Sequence, residues 1–341
     1  MEGTSSQSVT TSHGGLYYYK VITAAPVLDV WRAALRVTTG EAHLYARQGS
    51  APTTTSNTIA SEHAGNDGFT RQLSHATGAG ETWYLLVDAD AGTQFDLVAG
   101  DVHVGNLGEL AADATSGSGP DSIPPEGARF YKTSIPAEAL AWRLWLQDAS
   151  GTATRNHDFF VRKGFAPHSS SPTHYDRKRN GQGLMVPDFL APGGGDLYYV
   201  GIWGDPGETF QLDSRQQEIT DIAFDGTVPV AAANSFRFRT FRVPVPVDQT
   251  AWEVAVTPSS GDPNLCLRRD QVPNPFNNDA FSEVPSPSVA DSISLVLPDL
   301  SDGTVYLTVY SSGDYAGELR NREPLVTPID YALSLIHISE P

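Results

Sequence analysis

The sequence has few of the residues that disulfide bonds, long helices and membrane spans require. One cysteine, Cys266, stands among 341 residues, which excludes an internal disulfide bond and a cysteine-based zinc site. No apolar run approaches the roughly 20 residues that a membrane helix needs. Long amphipathic helices draw on lysine, whereas this chain has only four lysines, at positions 20, 132, 163 and 178. These shortages argue against a helical protein and against membrane insertion.

Positive charge is scarce as a whole. The formal net charge is −18 at pH 7, and such a surface is repelled by nucleic-acid phosphates and by anionic membranes. The one basic cluster, Arg177-Lys178-Arg179, does not continue into a stripe and is typical of a solvated loop. We therefore expect no nucleic-acid partner.

Common catalytic motifs are missing as well. None of the nine histidines lies in His-Glu-x-x-His, and the chain has no Gly-x-Ser-x-Gly elbow. The triplet at 193–195 is a glycine turn rather than a phosphate loop. His168 and His174 could meet at a metal ion, although a solvated loop also explains them. We assign no catalytic, cofactor-binding or metal-binding residue.

Paired carboxylates occur at Asp88 and Asp90, with Asp96 further on. Such pairs serve glycosidases, and the stretch also resembles a weak calcium loop. A polar hairpin turn is the alternative, and turn residues recur at the corresponding places, 204–207 and 311–314.

The strongest signal is a threefold internal repeat. Three tryptophans, Trp31, Trp142 and Trp252, are each preceded by an aromatic–basic pair and then a proline. The pairs are Tyr19-Lys20, Tyr131-Lys132 and Phe241-Arg242. We expect the tryptophans to fill three cores, and a ligand platform is the alternative.

Further blocks follow each tryptophan in the same order. An arginine stands five residues before a proline in every unit, at Arg47, Arg162 and Arg268. We expect a structural role for these arginines, and a repeated ligand contact is the alternative. Cys266 occupies the position of Tyr45 and Phe160, which predicts that it packs as a small apolar residue. A last strand is predicted at 95–97, 210–212 and 331–333, the third after an insertion around 319–327.

The blocks alternate apolar and polar residues and are bounded by Gly, Pro, Asn and Asp. This pattern predicts an all-β protein of three tandem antiparallel β-sandwich modules joined by short linkers. The predicted modules are 14–105, 128–215 and 234–335, with linkers at 106–127 and 216–233 and a tail at 336–341.

In all three units the blocks resemble the bacterial pre-peptidase C-terminal domain family. Its central Gly-Asp-x-Asp-Leu-Tyr-x-Arg segment corresponds to residues 40–47, and its closing Gly-x-Tyr-Tyr strand corresponds to 80–87, 195–200 and 303–309. The resemblance implies small non-catalytic β-sandwiches appended to secreted peptidases and other extracellular enzymes. Some relatives bind calcium or insoluble polymers such as collagen.

A calcium cofactor is not expected from these positions. No unit keeps aspartate at both acidic positions of the family, and calcium requires several hard oxygen ligands. The residues there are Glu41 and His43, Asn156 and Asp158, and Asp262 and Asn264. The open alternative is calcium held by acidic linker residues, Asp113, Asp121 and Glu126.

Both ends suggest a fragment of a longer secreted or cell-surface protein. The start, 1–6, lacks the features of a signal peptide, and 334–341 resemble translated sequencing-adapter read-through, with a genuine last strand as the alternative. The sequence therefore favours non-catalytic bacterial spacer, stabiliser or weak polymer-binding modules. The alternatives are calcium-rigidified adhesin-like modules and a hydrolase with a site between modules.

Overall fold

The structure is a computed structural model, and every regular element that it describes is a β-strand. It describes residues 5–22, 30–61, 67–72, 81–110, 116–125, 127–136, 139–148, 157–167, 177–179, 183–185, 196–232, 238–275, 277–285, 289–296, 299–300, 302–311 and 313–324. No helix of membrane-spanning length and apolarity occurs among these residues. The predicted all-β fold of sandwich modules is confirmed.

The first pair of sheets, called sandwich A here, covers 5–102. Its sheets have the strand orders β1-β8-β3-β6 and β2-β7-β4-β5, all antiparallel. The strands are β1 (Ser5–Thr10), β2 (Gly15–Ile22), β3 (Val30–Thr39), β4 (Ala42–Gln48), β5 (Ile59–Ser61), β6 (Asp67–Gln72), β7 (Thr82–Ala89) and β8 (Gln94–Val102).

Sandwich B covers 104–216, with sheets β10-β17-β12-β15 and β14-β13-β16-β11-β9. The strands are β9 (Val104–Glu109), β10 (Ser116–Ser122), β11 (Ala128–Ile135), β12 (Trp142–Asp148), β13 (Asp158–Lys163), β14 (Arg177–Arg179), β15 (Gly183–Met185), β16 (Asp196–Trp203) and β17 (Thr209–Gln216).

Sandwich C covers 219–322, with sheets β19-β26-β21-β24 and β18-β20-β25-β22-β23. The strands are β18 (Ile219–Asp221), β19 (Thr227–Ala232), β20 (Phe238–Val245), β21 (Ala251–Ser260), β22 (Asn264–Arg269), β23 (Ala280–Ser282), β24 (Asp291–Val296), β25 (Gly303–Tyr310) and β26 (Tyr315–Arg322). The chain divides into two compact units, Met1–Gln217, which holds sandwiches A and B, and Glu218–Pro341, which holds sandwich C.

Each sandwich encloses its own apolar core between its two sheets. In β7 every second residue, from Trp83 through Leu85 and Val87 to Ala89, enters the core of sandwich A, as the period of a strand requires. Trp31, Trp142 and Trp252 are at most 1% exposed, each in a different core. The prediction that these tryptophans are core residues is confirmed.

The turn that joins the third and fourth strands of sandwich A depends on glycine. Gly40 has a φ of +81°, and a Cβ there would collide with Thr93. Gly261 holds the corresponding turn of sandwich C with a φ of +71°, and a Cβ would collide with the carbonyl of Asp314. An L side chain strongly disfavours this left-handed backbone.

Both segments predicted as linkers contain strands of the sandwich that follows. Within 106–127, β10 pairs with β17, and most of β9 pairs with β11 in a parallel ladder. Within 216–233, β18 pairs in parallel with β20, and β19 pairs with β26. The small polar residues at 116–119 suggest a flexible linker, but residues 116–118 pair with β17 in a sheet. The linker assignment is corrected for these residues.

The last strand of sandwich C also differs from the prediction. It is β26, and Leu319, which was expected in an insertion, is fully buried in the core. Leu319 pairs with Val256, four residues after the recurring tryptophan, as Leu97 and Leu212 do with the corresponding residues of their sandwiches. Residues 325–341, which include 331–333 and the predicted tail, lie outside the described residues.

Candidate functional site

The positions that are acidic in the resembled family do not form a metal site in the described part of the chain. Glu41 Oε1 lies 3.6 Å from His43 Nε2. The Oδ1 atoms of Asp262 and Asn264 are buried without a hydrogen-bond partner, but two oxygens are fewer than calcium takes. Asp158 begins β13, and Asn156 lies outside the described residues. Among the described residues, no group of three or more His, Cys, Asp or Glu side chains is placed so that it could hold a metal ion.

The described linker carboxylate is already engaged by protein groups. Asp121 Oδ2 accepts hydrogen bonds from Arg129 Nε at 2.9 Å and from the Tyr131 hydroxyl at 2.5 Å, and Oδ1 accepts one from the Ser122 amide. Burial alone would raise the pKa of Asp121, but these hydrogen bonds and the charge of Arg129 together lower it. This carboxylate therefore connects β10 to β11. Asp113 and Glu126 lie outside the described residues.

The three carboxylates considered as a glycosidase pair or calcium loop lie along a hairpin. Asp88 is in β7 and Asp96 is in β8. The Asp90 carbonyl accepts a hydrogen bond from Thr11 Oγ1 at 2.8 Å, and Asp96 Oδ1 accepts one from Ser8 Oγ at 2.5 Å. Gly92 has the positive φ of a tight turn. The hairpin-turn interpretation fits these contacts.

The recurring arginines have different surroundings. Arg47 Nη1 donates to Ser56 Oγ at 3.2 Å. The Arg162 guanidinium lies 5.3 Å from the centre of the Phe165 ring, and Arg268 Nη1 is buried without a hydrogen-bond partner. A shared ligand contact is therefore not visible in the described residues.

Other sequence candidates fall in part outside the described residues. His168, His174 and the glycine turn at 193–195 are among these. The basic cluster Arg177–Arg179 forms β14, an edge strand, instead of the predicted loop. Cys266 is fully buried on the outer side of the β22–β25 ladder, where its Sγ contacts the Thr308 carbonyl at 3.7 Å. Its burial raises the pKa of the thiol to about 12.

One histidine–carboxylate pair was not singled out from the sequence. His157 Nε2 lies 3.3 Å from Glu208 Oε2, and the histidine side chain is 1% exposed. Its ring packs edge-on against Phe210 at 5.9 Å. The pair thus lies against the core of sandwich B, to which Phe210 belongs.

The described residues include a buried apolar contact between sandwiches A and B. An apolar cluster, called the A–B junction here, combines residues of both sandwiches, and Trp203 packs against it. Its buried members are Val30, Val102, Val104, Ala128, Phe130, Ala166 and Tyr199. The sequence analysis did not predict this cluster, because the repeat identifies core positions and polar motifs but gives no role to outward-facing aromatic residues.

Trp203 lies at the centre of the contacts at this junction. Its ring is 4.4 Å from the ring of Phe160 and 5.4 Å from that of Phe130, both edge-on. The Arg32 guanidinium of sandwich A lies 5.7 Å from the ring centre, close enough for a cation–π contact. Arg36 of sandwich A also donates to the Pro125 carbonyl at 3.1 Å. Packing and polar contacts thus both connect the two sandwiches.

Comparison with known proteins finds solved structures that resemble parts of the chain at low sequence identity. No family model matches the chain, and no curated protein matches it. The pre-peptidase C-terminal domain of a collagenase from Bacillus anthracis aligns with 31% of this chain and 97% of its own, at 17% identity and a TM-score of 0.27. The CUB1-EGF-CUB2 domains of rat MASP-1 align with 64% of this chain and 100% of their own, at 8% identity and a TM-score of 0.19.

A third similarity, to the structure of Sulfolobus Turreted Icosahedral Virus, covers 94% of this chain and 90% of the viral one, at 9% identity and a TM-score of 0.22. At such low identities and TM-scores, none of the three similarities carries an inference about function. What the chain itself shows is a set of antiparallel β-sandwiches built on a repeated core.

Proposed function

We propose that the chain is a set of three tandem non-catalytic β-sandwich modules, like those of the pre-peptidase C-terminal domain family, in a secreted or cell-surface bacterial protein. The modules act as a spacer or stabiliser and as weak binders of an extracellular polymer. The observation that supports this proposal is the nature of the repeat. The recurring tryptophans are buried in cores, whereas described polar candidates such as Asp96 and Asp121 contact side chains of neighbouring strands.

The A–B junction supports the spacer role. A spacer must hold its two ends apart, and a buried apolar junction limits the relative motion of adjacent modules. Only His103 separates β8 from β9, so little free chain lies between the two sandwiches. Three modules could also add avidity for a polymer without a tight single site.

The spacer role can be tested by measuring a distance within the full chain. Dyes would be attached at Thr54→Cys in sandwich A and Asp205→Cys in sandwich B, both exposed, while the native Cys266 is buried. We expect a single narrow distance distribution by single-molecule energy transfer. Placing both cysteines in sandwich A provides the control for dye motion, and a broad distribution for the inter-sandwich pair alone would contradict a rigid spacer.

Polymer binding needs a separate measurement. The purified chain would be incubated with collagen, chitin and cellulose, and the retained fraction compared with that on an inert resin. Retention on one polymer that is reversed by soluble fragments of the same polymer supports weak binding. No retention on any of the three removes the polymer-binding part of the proposal.

A further inference from the structure

Two of the three sandwiches cover the same sheet edge with a parallel strand. In sandwich B, β11 pairs on one side with β16 and on the other with β9. In sandwich C, β20 pairs with β25 and with β18. Each covering strand is the first strand of its sandwich.

In both sandwiches the covering strand places a polar or acidic residue opposite a basic residue of the strand that it covers. Asp221 of β18 lies opposite Arg242 of β20, and Asn106 of β9 lies opposite Lys132 of β11. The Arg242–Asp221 pair is bidentate, with distances of 2.6 Å from Nε to Oδ1 and 2.8 Å from Nη2 to Oδ2. Ile222 follows directly and is buried in the core. The cover is thus an extended segment with a polar or acidic residue opposite the basic one.

In sandwich A the corresponding edge, that of β2, is uncovered in the described part of the chain. β2 is the terminal strand of its sheet and pairs only with β7. Lys20 holds the position of Lys132 and Arg242 in the repeat, and its charged group lies 6.0 Å from the centre of the Tyr84 ring. No carboxylate forms an ion pair with Lys20 among the described residues.

Three outward-facing side chains of β2 are large, hydrophobic and exposed. Leu16, Tyr18 and Ile22 are 51%, 50% and 64% exposed. Phe130, which occupies the position of Tyr18 in sandwich B, is fully buried beside Val104 of the covering strand. Proteins usually protect an exposed apolar edge strand, because its free backbone groups pair readily with another chain.

We propose that β2 binds an extended acidic segment of another polypeptide, which adds as a parallel strand and places a carboxylate opposite Lys20. Strand addition of this kind gives affinity through the backbone and specificity through alternate side chains. Charge complementarity with Lys20 favours an acidic occupant, and the two described segments of this type, β9 and β18, are already paired within the chain. This inference goes beyond the spacer role and does not depend on it.

The probe is a labelled peptide with the sequence of residues 217–224, Gln-Glu-Ile-Thr-Asp-Ile-Ala-Phe. We expect saturable binding to the full chain by fluorescence anisotropy at low salt, together with slower hydrogen exchange of the amides of 15–22. Lys20→Glu weakens binding by about twofold to fivefold, the fold-change that corresponds to loss of a partly exposed ion pair. A peptide carrying Asp221→Lys binds Lys20→Glu more tightly than it binds the unchanged chain.

The matched control is Arg320→Glu, which makes the same charge change at an exposed position in β26 and leaves peptide binding unchanged. Circular dichroism verifies that both variants fold. The proposal is overturned if the peptide does not bind, if both variants weaken it equally, or if protection appears away from β2. It is also overturned if the chain self-associates in sedimentation and Lys20→Glu abolishes this, because the occupant would then be a second copy. The spacer and polymer-binding proposals are tested by separate measurements, so none of these outcomes bears on them.

Discussion

At the residue scale, the repeated tryptophans do similar work with different polar partners. The indole nitrogen of Trp142 donates to Ser214 Oγ at 2.8 Å, and that of Trp252 donates to Asn321 Oδ1 at 3.4 Å. Ser214 and Asn321 hold equivalent places on the neighbouring strand, whereas sandwich A has Ala99 there. The large apolar surface is therefore the shared feature, and the hydrogen bond is an addition in two sandwiches.

Removing one of these side chains destabilises its sandwich. Trp252→Ala leaves a cavity in the core of sandwich C and lowers its free energy of unfolding by about 3–5 kcal/mol. The rate of alkylation of Cys266 measures this change directly, because the only thiol is buried and has a pKa raised to about 12. We expect labelling at pH 8 to be much faster in the variant. Val247→Ala, at a side chain that is 65% exposed, should leave the rate nearly unchanged.

The Asp121 carboxylate makes stability depend on pH. Its pKa is lowered in the folded chain from an ordinary value of 3.8, so its contribution is present above that value and is lost as the pH falls through the lowered pKa. Asp121→Asn should therefore reduce the urea midpoint of Met1–Gln217 more at pH 7 than at pH 2.5. Asp90→Asn, in an exposed turn, serves as the control. An equal reduction at both pH values would show that the charge is not involved.

At the element scale, the sequence predicts strands well where apolar and polar side chains alternate. It predicts them poorly where only backbone pairing with a neighbouring strand determines the strand. The strand at 251–260 follows from the alternation that begins at Trp252, and its side chains alternate in burial from there to Val256. The strand at 116–122 could not be predicted, because Ser-Gly-Ser-Gly carries no apolar pattern and is fixed by pairing with β17. The last strand of sandwich C was misplaced because Gly317 replaces the aromatic residue of the other repeats. A Cβ on Gly317 would collide with the Thr257 carbonyl.

The covering strand β18 depends on the charge opposite it. Because Asp221 and Arg242 are 67% and 43% exposed, the ion pair contributes little to global stability, on the order of 0.2–1 kcal/mol. Asp221→Lys replaces attraction with repulsion and should speed hydrogen exchange of the amides at 219–222 while the midpoint of global unfolding barely changes. The double variant Asp221→Lys with Arg242→Glu should restore protection. If Asp221→Lys leaves exchange unchanged, the backbone ladder alone holds β18.

At the scale of the molecule, the main departure from the expected organisation lies within Met1–Gln217. Three modules joined by linkers would predict independent sandwiches, but sandwiches A and B share the buried A–B junction. The repeat located the cores correctly because they depend on large apolar residues at fixed spacing. It could not reveal the junction, since Val30, Val102 and Trp203 are separated in sequence and do not recur as a motif.

The junction should couple the stabilities of sandwiches A and B. Trp203→Ala removes the ring that touches Phe130, Phe160 and Arg32, and it should cost about 1–3 kcal/mol because the side chain is only partly buried. The specific readout is hydrogen exchange at Val30 and Val102–Val104, which should become faster although the substitution is in sandwich B. Trp145→Ala, at another half-buried tryptophan of sandwich B, is the matched control and should not affect exchange in sandwich A.

The single residue between β8 and β9 has a consequence for how this protein would hold ligands. One residue reaches no more than about 3.6 Å, so sandwiches A and B have no flexible tether that would let them search space separately. Two weak contacts, one on each sandwich, would act as a pair only on a target whose own repeat matches the fixed spacing. On such a target the two contacts would bind together and gain avidity. On an irregular target only one contact would bind at a time, and no avidity would result.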